Sequence, residues 1–313
     1  MAIDVSVVVV SYNRKRFLKK CLECLLWQDY PEDNYEIIVV DDGSTDGTDK
    51  MFEMMDYPQR VRYFCSPERL GQSKARNRGI FEAKGEVIIF TDSDAFAPPW
   101  FIREHMVWHQ KDSKLIVDGP AINVSGENYL KEPPFDSSLV KILAFFDFWG
   151  ASFITVNTSC RRENLIKVGG FDEDFEGLGW HDWELGYRLT KIGLFAKRNV
   201  NAIVYHYKEK RDLSNLKELM KRRIERGKNA VLYYKKHPTL FVKLQIRAHQ
   251  LLTDKFTWWL DTSSGDKILG WARENDKFLF NLLINLKLKR AYVKGLREGM
   301  KRHKVKIWPW MQV

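Results

Sequence analysis

Along the first hundred residues the apolar positions switch repeatedly between the unbroken runs of buried strands and the three-and-four spacing of helices. Val5 to Val10 is a continuous β-branched run, the pattern of a parallel strand covered on both faces. Arg14 to Trp27 follows with Phe17, Leu18, Cys21, Leu22, Leu25 and Leu26 at helical period. The strand Glu36 to Val40 leads through Asp41-Asp42-Gly43-Ser44 into a helix near Asp46 to Met55, and Val61 to Cys65 leads into a helix from Ser73 to Ala83. A further strand, Val87 to Phe90, ends at Thr91. This alternation predicts an α/β fold with a doubly wound, mostly parallel sheet and right-handed crossovers. In such sheets ligands bind beyond the carboxyl ends of the strands, where the strand order switches. Ser11, Tyr12 and Asn13, then Asp41 and Asp42, then Asp92 and Asp94 all fall at such ends.

Beyond Pro98 the alternation loosens. A helix near Trp100 to Gln110, a strand near Leu115 to Ile122 and an apolar stretch without a decisive period precede a Gly169-Gly170 turn and a helix from about His181 to Ile192. From Leu213 the pattern is helical, basic and amphipathic. The expected organisation is an α/β domain over residues 1–207, with halves 1–97 and 98–207, followed by a basic helical region over 208–313.

The chain has 313 residues, 44% hydrophobic and 13% aromatic, which is ample for a buried core and excludes a disordered protein. Its longest apolar stretch, Val140 to Val156, is interrupted by Lys141 and Asp147 and falls short of a membrane span. Ala2 to Val10 reads as a strand rather than an export signal, so a cytoplasmic protein is expected. Four scattered cysteines do not make a disulfide framework, and Cys21 and Cys24, inside a helical pattern, read as core. His105 and His109 have the spacing of a metalloprotease helix, but Met106 stands where its glutamate belongs, so both read as structural.

The net charge of +10 is unevenly placed: from Lys208 onward there are 26 basic against 10 acidic residues, a net +16, which leaves −6 for residues 1–207. The basic region interleaves lysines with Trp258, Trp259, Trp308, Trp310 and an apolar stripe of Leu279, Leu282, Leu283, Leu286 and Leu288. Two readings fit: peripheral contact with an anionic membrane, or helices packed on their apolar side with lysines in water. An oligomer interface is compatible with either.

The strongest chemical signal is Asp92-Ser93-Asp94, directly after an apolar strand. Two carboxylates at i and i+2 on such a turn can reach one hard divalent cation, magnesium or manganese, whose shell substrate phosphates complete. The alternative is a solvated turn. There is no G-x-G-x-x-G after the first strand and no G-x-x-x-x-G-K-[ST], so neither a dinucleotide fold nor a P-loop is supported.

These segments resemble the family 2 glycosyltransferases of the GT-A fold. The likeness rests on Val7 to Arg14 (VVVVSYNR), Val39 to Thr45 (VVDDGST), Gly71 to Gly79 (GQSKARNRG), Phe90 to Asp94 (FTDSD), Val168 to Asp174 (VGGFDED) and Gly179 to Leu189 (GWHDWELGYRL), in family order. It implies a nucleotide-diphosphate-sugar donor held by Val10, Tyr12, Asn13, Arg14, Asp41, Asp42, Arg76, Asp92 and Ser93. It also implies a metal on Asp94 completed by His206, whose other reading is a satisfied structural histidine at a strand end. Asp182, in the first turn of a helix, is kept charged by the helix dipole and free backbone N–H groups; the resemblance makes it the catalytic base, where an ordinary cap is the alternative. The family commonly carries Glu-Asp here, and this chain has His181-Asp182. Asn157, Trp180 and His181 are expected near the acceptor.

The resemblance further implies a single inverting displacement onto a glycan or lipid-linked acceptor. A Q-x-x-R-W motif, which it would tie to processive synthases, is absent, so one sugar per encounter is expected. A nucleotidyltransferase would need a basic, glycine-rich loop after the first strand, and SYNR offers little of one. A nucleic-acid binder would fit the basic back but neither the acidic front nor the strand-end carboxylates.

Overall fold

The computed structural model describes residues 3–126, 128–131, 153–209 and 211–308. They form two compact units: Met1–Glu173 with Asp182–Glu209, and Asp174–His181 with Lys210–Val313. The second break lies two residues beyond the boundary expected from charge. The excursion of Asp174–His181 into the helical unit had no signal in the sequence. Most of the apolar stretch from Val140, and Trp310, lie outside the described residues.

The first unit is built on a seven-stranded sheet of order β3-β2-β1-β4-β8-β6-β9. Its strands are β1 (Val5–Ser11), β2 (Tyr35–Asp41), β3 (Val61–Cys65), β4 (Val87–Asp92), β6 (Leu115–Asp118), β8 (Asn157–Arg161) and β9 (Phe195–Arg198). Pairing is parallel except where β8 runs antiparallel to both β4 and β6. The first strands are mostly apolar because both faces are covered, and among the buried exceptions Ser6 and Glu36 hydrogen-bond each other at 2.7 Å. Val5, Val7 and Val9 with Ile37, Val39 and Ile89 meet helices α1 (Lys15–Leu26) and α4 (Phe101–His109). On the opposite face, Val8, Ile38, Ile88 and Phe90 join α3 (Gln72–Glu82), α6 (Arg162–Lys167) and α7 (His181–Lys191), the last through Leu185 and Leu189. Each fully buried side chain of this size stabilises the fold by about 1.5–3 kcal/mol relative to exposure. At Gly79 of α3 a Cβ would fall 2.4 Å from Val8, so glycine sets how closely helix and strand approach.

A second sheet of three strands, β5-β10-β7, lies in the same unit: β5 (Ala95–Phe96), β7 (Ala121–Val124) and β10 (Val204–Tyr207). The single strand expected from Leu115 to Ile122 is two strands in two sheets. Pro120 has no N–H for a ladder, and a Cβ on Gly119 would lie 1.7 Å from the Ala202 carbonyl, so the chain turns there. Between β2 and β3 runs α2 (Thr48–Met54), and a short α5 (Asn128–Lys131) follows β7.

The helical unit is dominated by α8 (Leu216–Lys236) and α12 (Lys277–His303), with α9 (Leu240–Gln245), α10 (Gln250–Thr253) and α11 (Ser263–Asn275) between them. Glycines set the α8–α12 crossing: a Cβ on Gly227 would meet the Tyr292 carbonyl at 2.3 Å, and one on Gly295 the Ile224 carbonyl at 2.1 Å. The leucine stripe seen in the sequence is largely this unit's own core. Leu283 and Leu288 are buried and Leu279 and Leu286 pack against them, while Leu282 is exposed. Segment Asp174–His181 is held inside the unit by the Asn229 carboxamide, which donates to the Glu176 and Leu178 carbonyls at 2.8 and 3.3 Å.

Candidate metal and donor site

Strand register brings the candidate residues to one level. Val10 pairs with Asp92, and Ser11 with Asp41, so β1, β2 and β4 end together. The small sheet adds the distant member: β10 runs antiparallel to β5 with His206 opposite Ala95, and the Tyr207 N–H donates to the Asp94 carbonyl at 2.8 Å. His206 Nε2 thereby lies 3.0 Å from Asp94 Oδ1. Ligand atoms of Asp92, Asp94 and His206 all fall within 4.8 Å of one another. Two carboxylates and one imidazole at that spacing can hold a divalent cation, the carboxylates supplying the oxygen donors that manganese and magnesium take.

Electrostatics keep the Asp94 carboxylate available. Burial alone would raise the Asp94 carboxyl, but the His206 hydrogen bond and the charges of His206, Lys208 and Arg14 outweigh it and hold it below the ordinary range. Asp92 is oriented by the buried Arg76, whose guanidinium reaches Asp92 Oδ1 at 3.3 Å and Gln72 Oε1 at 3.4 Å. Ser93 between the two carboxylates is buried.

The loop after β1 is locked to the loop after β2. Asn13 adopts a φ of +51°, which asparagine tolerates better than most residues, and its side chain accepts from the Thr45 N–H at 2.7 Å. Its own N–H donates to Ser44 Oγ at 2.8 Å. Tyr12 is exposed, with the Arg69 guanidinium 4.2 Å from its ring centroid. Asp42 is buried, which raises its carboxyl against hydrogen bonds from the Leu70 and Gly71 N–H groups. Arg14 pairs with Glu209 at 3.5 Å.

Other expected residues hold the scaffold instead. Asp41 is fully buried and accepts from the Ser44 N–H at 2.9 Å and the Tyr63 hydroxyl at 2.7 Å, so it shapes the loop and has no surface for a nucleoside. Asn157 is likewise buried, and its carboxamide binds the Pro120 and Ala202 carbonyls and His105. That removes the ground for Asn157 as an acceptor contact. His105 and His109 share Ser159 Oγ at 2.8 Å each and are buried. Trp180 and His181 belong to the helical unit and are buried, Trp180 with its ring 5.9 Å from Tyr233. Neither offers an open ring face to a sugar.

Asp182 opens α7, half-buried, with Oδ1 accepting from the Trp183 N–H at 2.9 Å. Glu184 is structural: Arg188 grips it from Nε and Nη2 and spends its remaining donors on the Val168 and Gly170 carbonyls. Two residues beside the candidate site were not read from sequence: Arg69 over the Tyr12 ring and Lys208 against His206. Strand period could have found Lys208, since it lies two residues from His206 and shares its face. Arg69 had no signal.

The sequence profile of glycosyl transferase family 2 matches residues 6–169, and that of the N-terminal domain of galactosyltransferase matches 141–210. Validoxylamine A glucosyltransferase of Streptomyces hygroscopicus subsp. limoneus is 28% identical over 275 residues, covering 76% of this chain and 58% of that protein. A Methanococcus voltae protein, dolichyl N-acetyl-alpha-D-glucosaminyl phosphate 3-beta-D-2,3-diacetamido-2,3-dideoxy-beta-D-glucuronosyltransferase, is 27% identical over 236 residues, 71% of either chain. The chain spans less than two thirds of the length of the first curated relatives it matches. Among solved structures, a mannosyltransferase from Pyrobaculum calidifontis in complex with GDP-Man and Mn2+ superposes with a TM-score of 0.60 at 20% identity, covering 96% of this chain and 88% of that one. At that identity the likeness is one of fold.

Proposed function

The chain belongs to glycosyl transferase family 2, and from that premise we propose that it moves one sugar from a UDP-sugar to a hydroxyl of a glycan or lipid-linked glycan, with inversion. The observation that carries the reading is the convergence of Asp92, Asp94 and His206 at the carboxyl edge of the sheet. Residues of this chain divide the work. Tyr12, Asn13, Arg14 and Asp42 line the edge where the nucleoside lies, and Arg76 fixes Asp92 beside it. Asp94 and His206 hold the divalent cation, which when bound neutralises charge on the departing diphosphate. Asp182, in the first turn of α7, accepts the proton of the attacking hydroxyl. General-base help supplies about 10²–10⁴-fold, so orientation of donor and acceptor supplies much of the rest.

The named relatives support a sugar transferase over a nucleotidyltransferase, and the dolichyl-phosphate relative supports a lipid-linked acceptor. The cytoplasm is the compartment we assign, with the acceptor on that side of the membrane and no nucleic acid involved. None of the described helices is long and apolar enough to cross a membrane. A thermal-shift panel of uridine, guanosine and thymidine diphosphates, with and without manganese, tests the reading. A ligand at about 100 times its Kd adds roughly 2.7 kcal/mol of apparent stability. The expected result is a manganese-dependent shift that is largest for uridine diphosphate. No shift with any nucleotide would contradict it.

A further inference from the structure

Lys208 puts an ammonium on the metal site from within the chain. Its backbone N–H donates to the Val124 carbonyl at 2.8 Å, which fixes it just past the end of β10. Residues two apart on a strand share a face, and Lys208 Nζ lies 2.8 Å from His206 Nε2. His206 Nε2 in turn lies 3.0 Å from Asp94 Oδ1. One imidazole nitrogen offers either one proton or one lone pair, so it cannot donate to the carboxylate and accept from the ammonium at once. Both contacts converge on a place suited to a cation that ligates imidazole and carboxylate together.

We propose that Lys208 is a tethered cation that yields His206 to the incoming metal and then pairs with the donor's diphosphate, so that metal and diphosphate binding are coupled through one side chain. The inference rests on the metal and donor assignment above. Without a metal, the ammonium partly neutralises Asp94 and lies against the His206 ring nitrogen. A divalent ion on Asp94 and His206 repels it, and the nearest new negative charge is the diphosphate carried on that ion. Lys208 is itself exposed although the His206 ring it meets is buried, so its ammonium can swing away without disturbing packing. Arg14, paired with Glu209 at 3.5 Å, contributes a second positive charge near Asp94 but is not placed on a ligand atom.

The coupling has opposite signs in its two halves, which a structural role for Lys208 would not produce. In Lys208→Met, calorimetric titration with manganese alone should show tighter binding, by about three- to tenfold, because the competing cation is gone. With manganese saturating, uridine or guanosine diphosphate should bind about tenfold more weakly than to the unaltered protein, while the corresponding monophosphate is unaffected. Lys208→Arg should restore most of the diphosphate affinity. Manganese and diphosphate affinities that fall together, or that both stay unchanged, would overturn the proposal while leaving the donor site intact. Failure of the unaltered protein to bind either diphosphate with manganese would instead overturn the functional reading beneath it.

Discussion

Asp94 Oδ1 and His206 Nε2, carried by a tight turn and a distant strand, meet at 3.0 Å because β5 and β10 pair antiparallel directly beside the turn. The geometry depends on a three-stranded sheet whose members are scattered along the chain. Asp92 reaches the same place from the end of β4, held by Arg76. This carboxylate–imidazole cluster is thus built by register, and its consequences can be separated from those of Asp182 on α7.

Replacing Asp182 with Asn keeps the size and polarity of the side chain and removes its basicity. The expected outcome is donor affinity close to that of the unaltered protein and transfer slowed by at least about two orders of magnitude. Binding calorimetry paired with a transfer assay checks this. Equal losses in binding and rate would identify Asp182 as a helix cap.

Stability should fall on mild acidification because of His105 and His109. Burial is the main cause in both: it takes His105 down to about 4, against the hydrogen bond its ring N–H donates to the Asn157 carboxamide oxygen, and His109 down to about 3, with help from the charges of His105 and Arg161. Unfolded histidines titrate near 6.5. Below that value the unfolded chain binds protons the folded chain refuses, so the contribution is complete above about pH 6.5 and is lost as pH falls toward 4. The pair should cost about 2–4 kcal/mol between pH 7 and pH 5. Urea denaturation at the two pH values measures it, and His109→Gln should lose roughly half of that difference. An unchanged difference would assign the acid sensitivity elsewhere.

The helical unit keeps Phe256, Trp258, Trp271 and Phe278 more than half exposed amid its basic residues. Near-surface lysines and arginines contribute about 1 kcal/mol each toward an anionic bilayer and are screened within a Debye length. The expected result is cosedimentation with anionic vesicles at low salt, weakened at high salt and in a Trp258→Ser, Trp271→Ser double variant. Protein that stays in solution at low salt would leave these aromatics without a membrane role.

Strands and helices of the first half were legible because β1, β2 and β4 are buried on both faces and α1 carries one clear apolar stripe of Leu18, Cys21, Leu22 and Leu25. The sheet's antiparallel member was not: Asn157–Arg161 is a polar-looking NTSCR whose hydroxyls and carboxamide are satisfied internally by His105, Ile154 and neighbouring carbonyls. In the site, Asp92, Asp94 and His206 could be read from strand ends and family likeness. The commitment of Asp41 and Asn157 to buried hydrogen bonds could not, because an isolated Asp or Asn at a strand end looks the same whether it faces a ligand or a carbonyl. Trp180 shows the same limit: its burial comes from a loop captured by α8 through Asn229, a contact far away in sequence.

The most direct measurement is calorimetric titration of Asp94→Ala and the unaltered protein with uridine diphosphate, with manganese present and with a chelator. The expected result is that the unaltered protein binds the nucleotide tightly only with manganese, and that Asp94→Ala binds it weakly and equally in both conditions. Manganese-dependent affinity retained by Asp94→Ala would contradict the site assigned here.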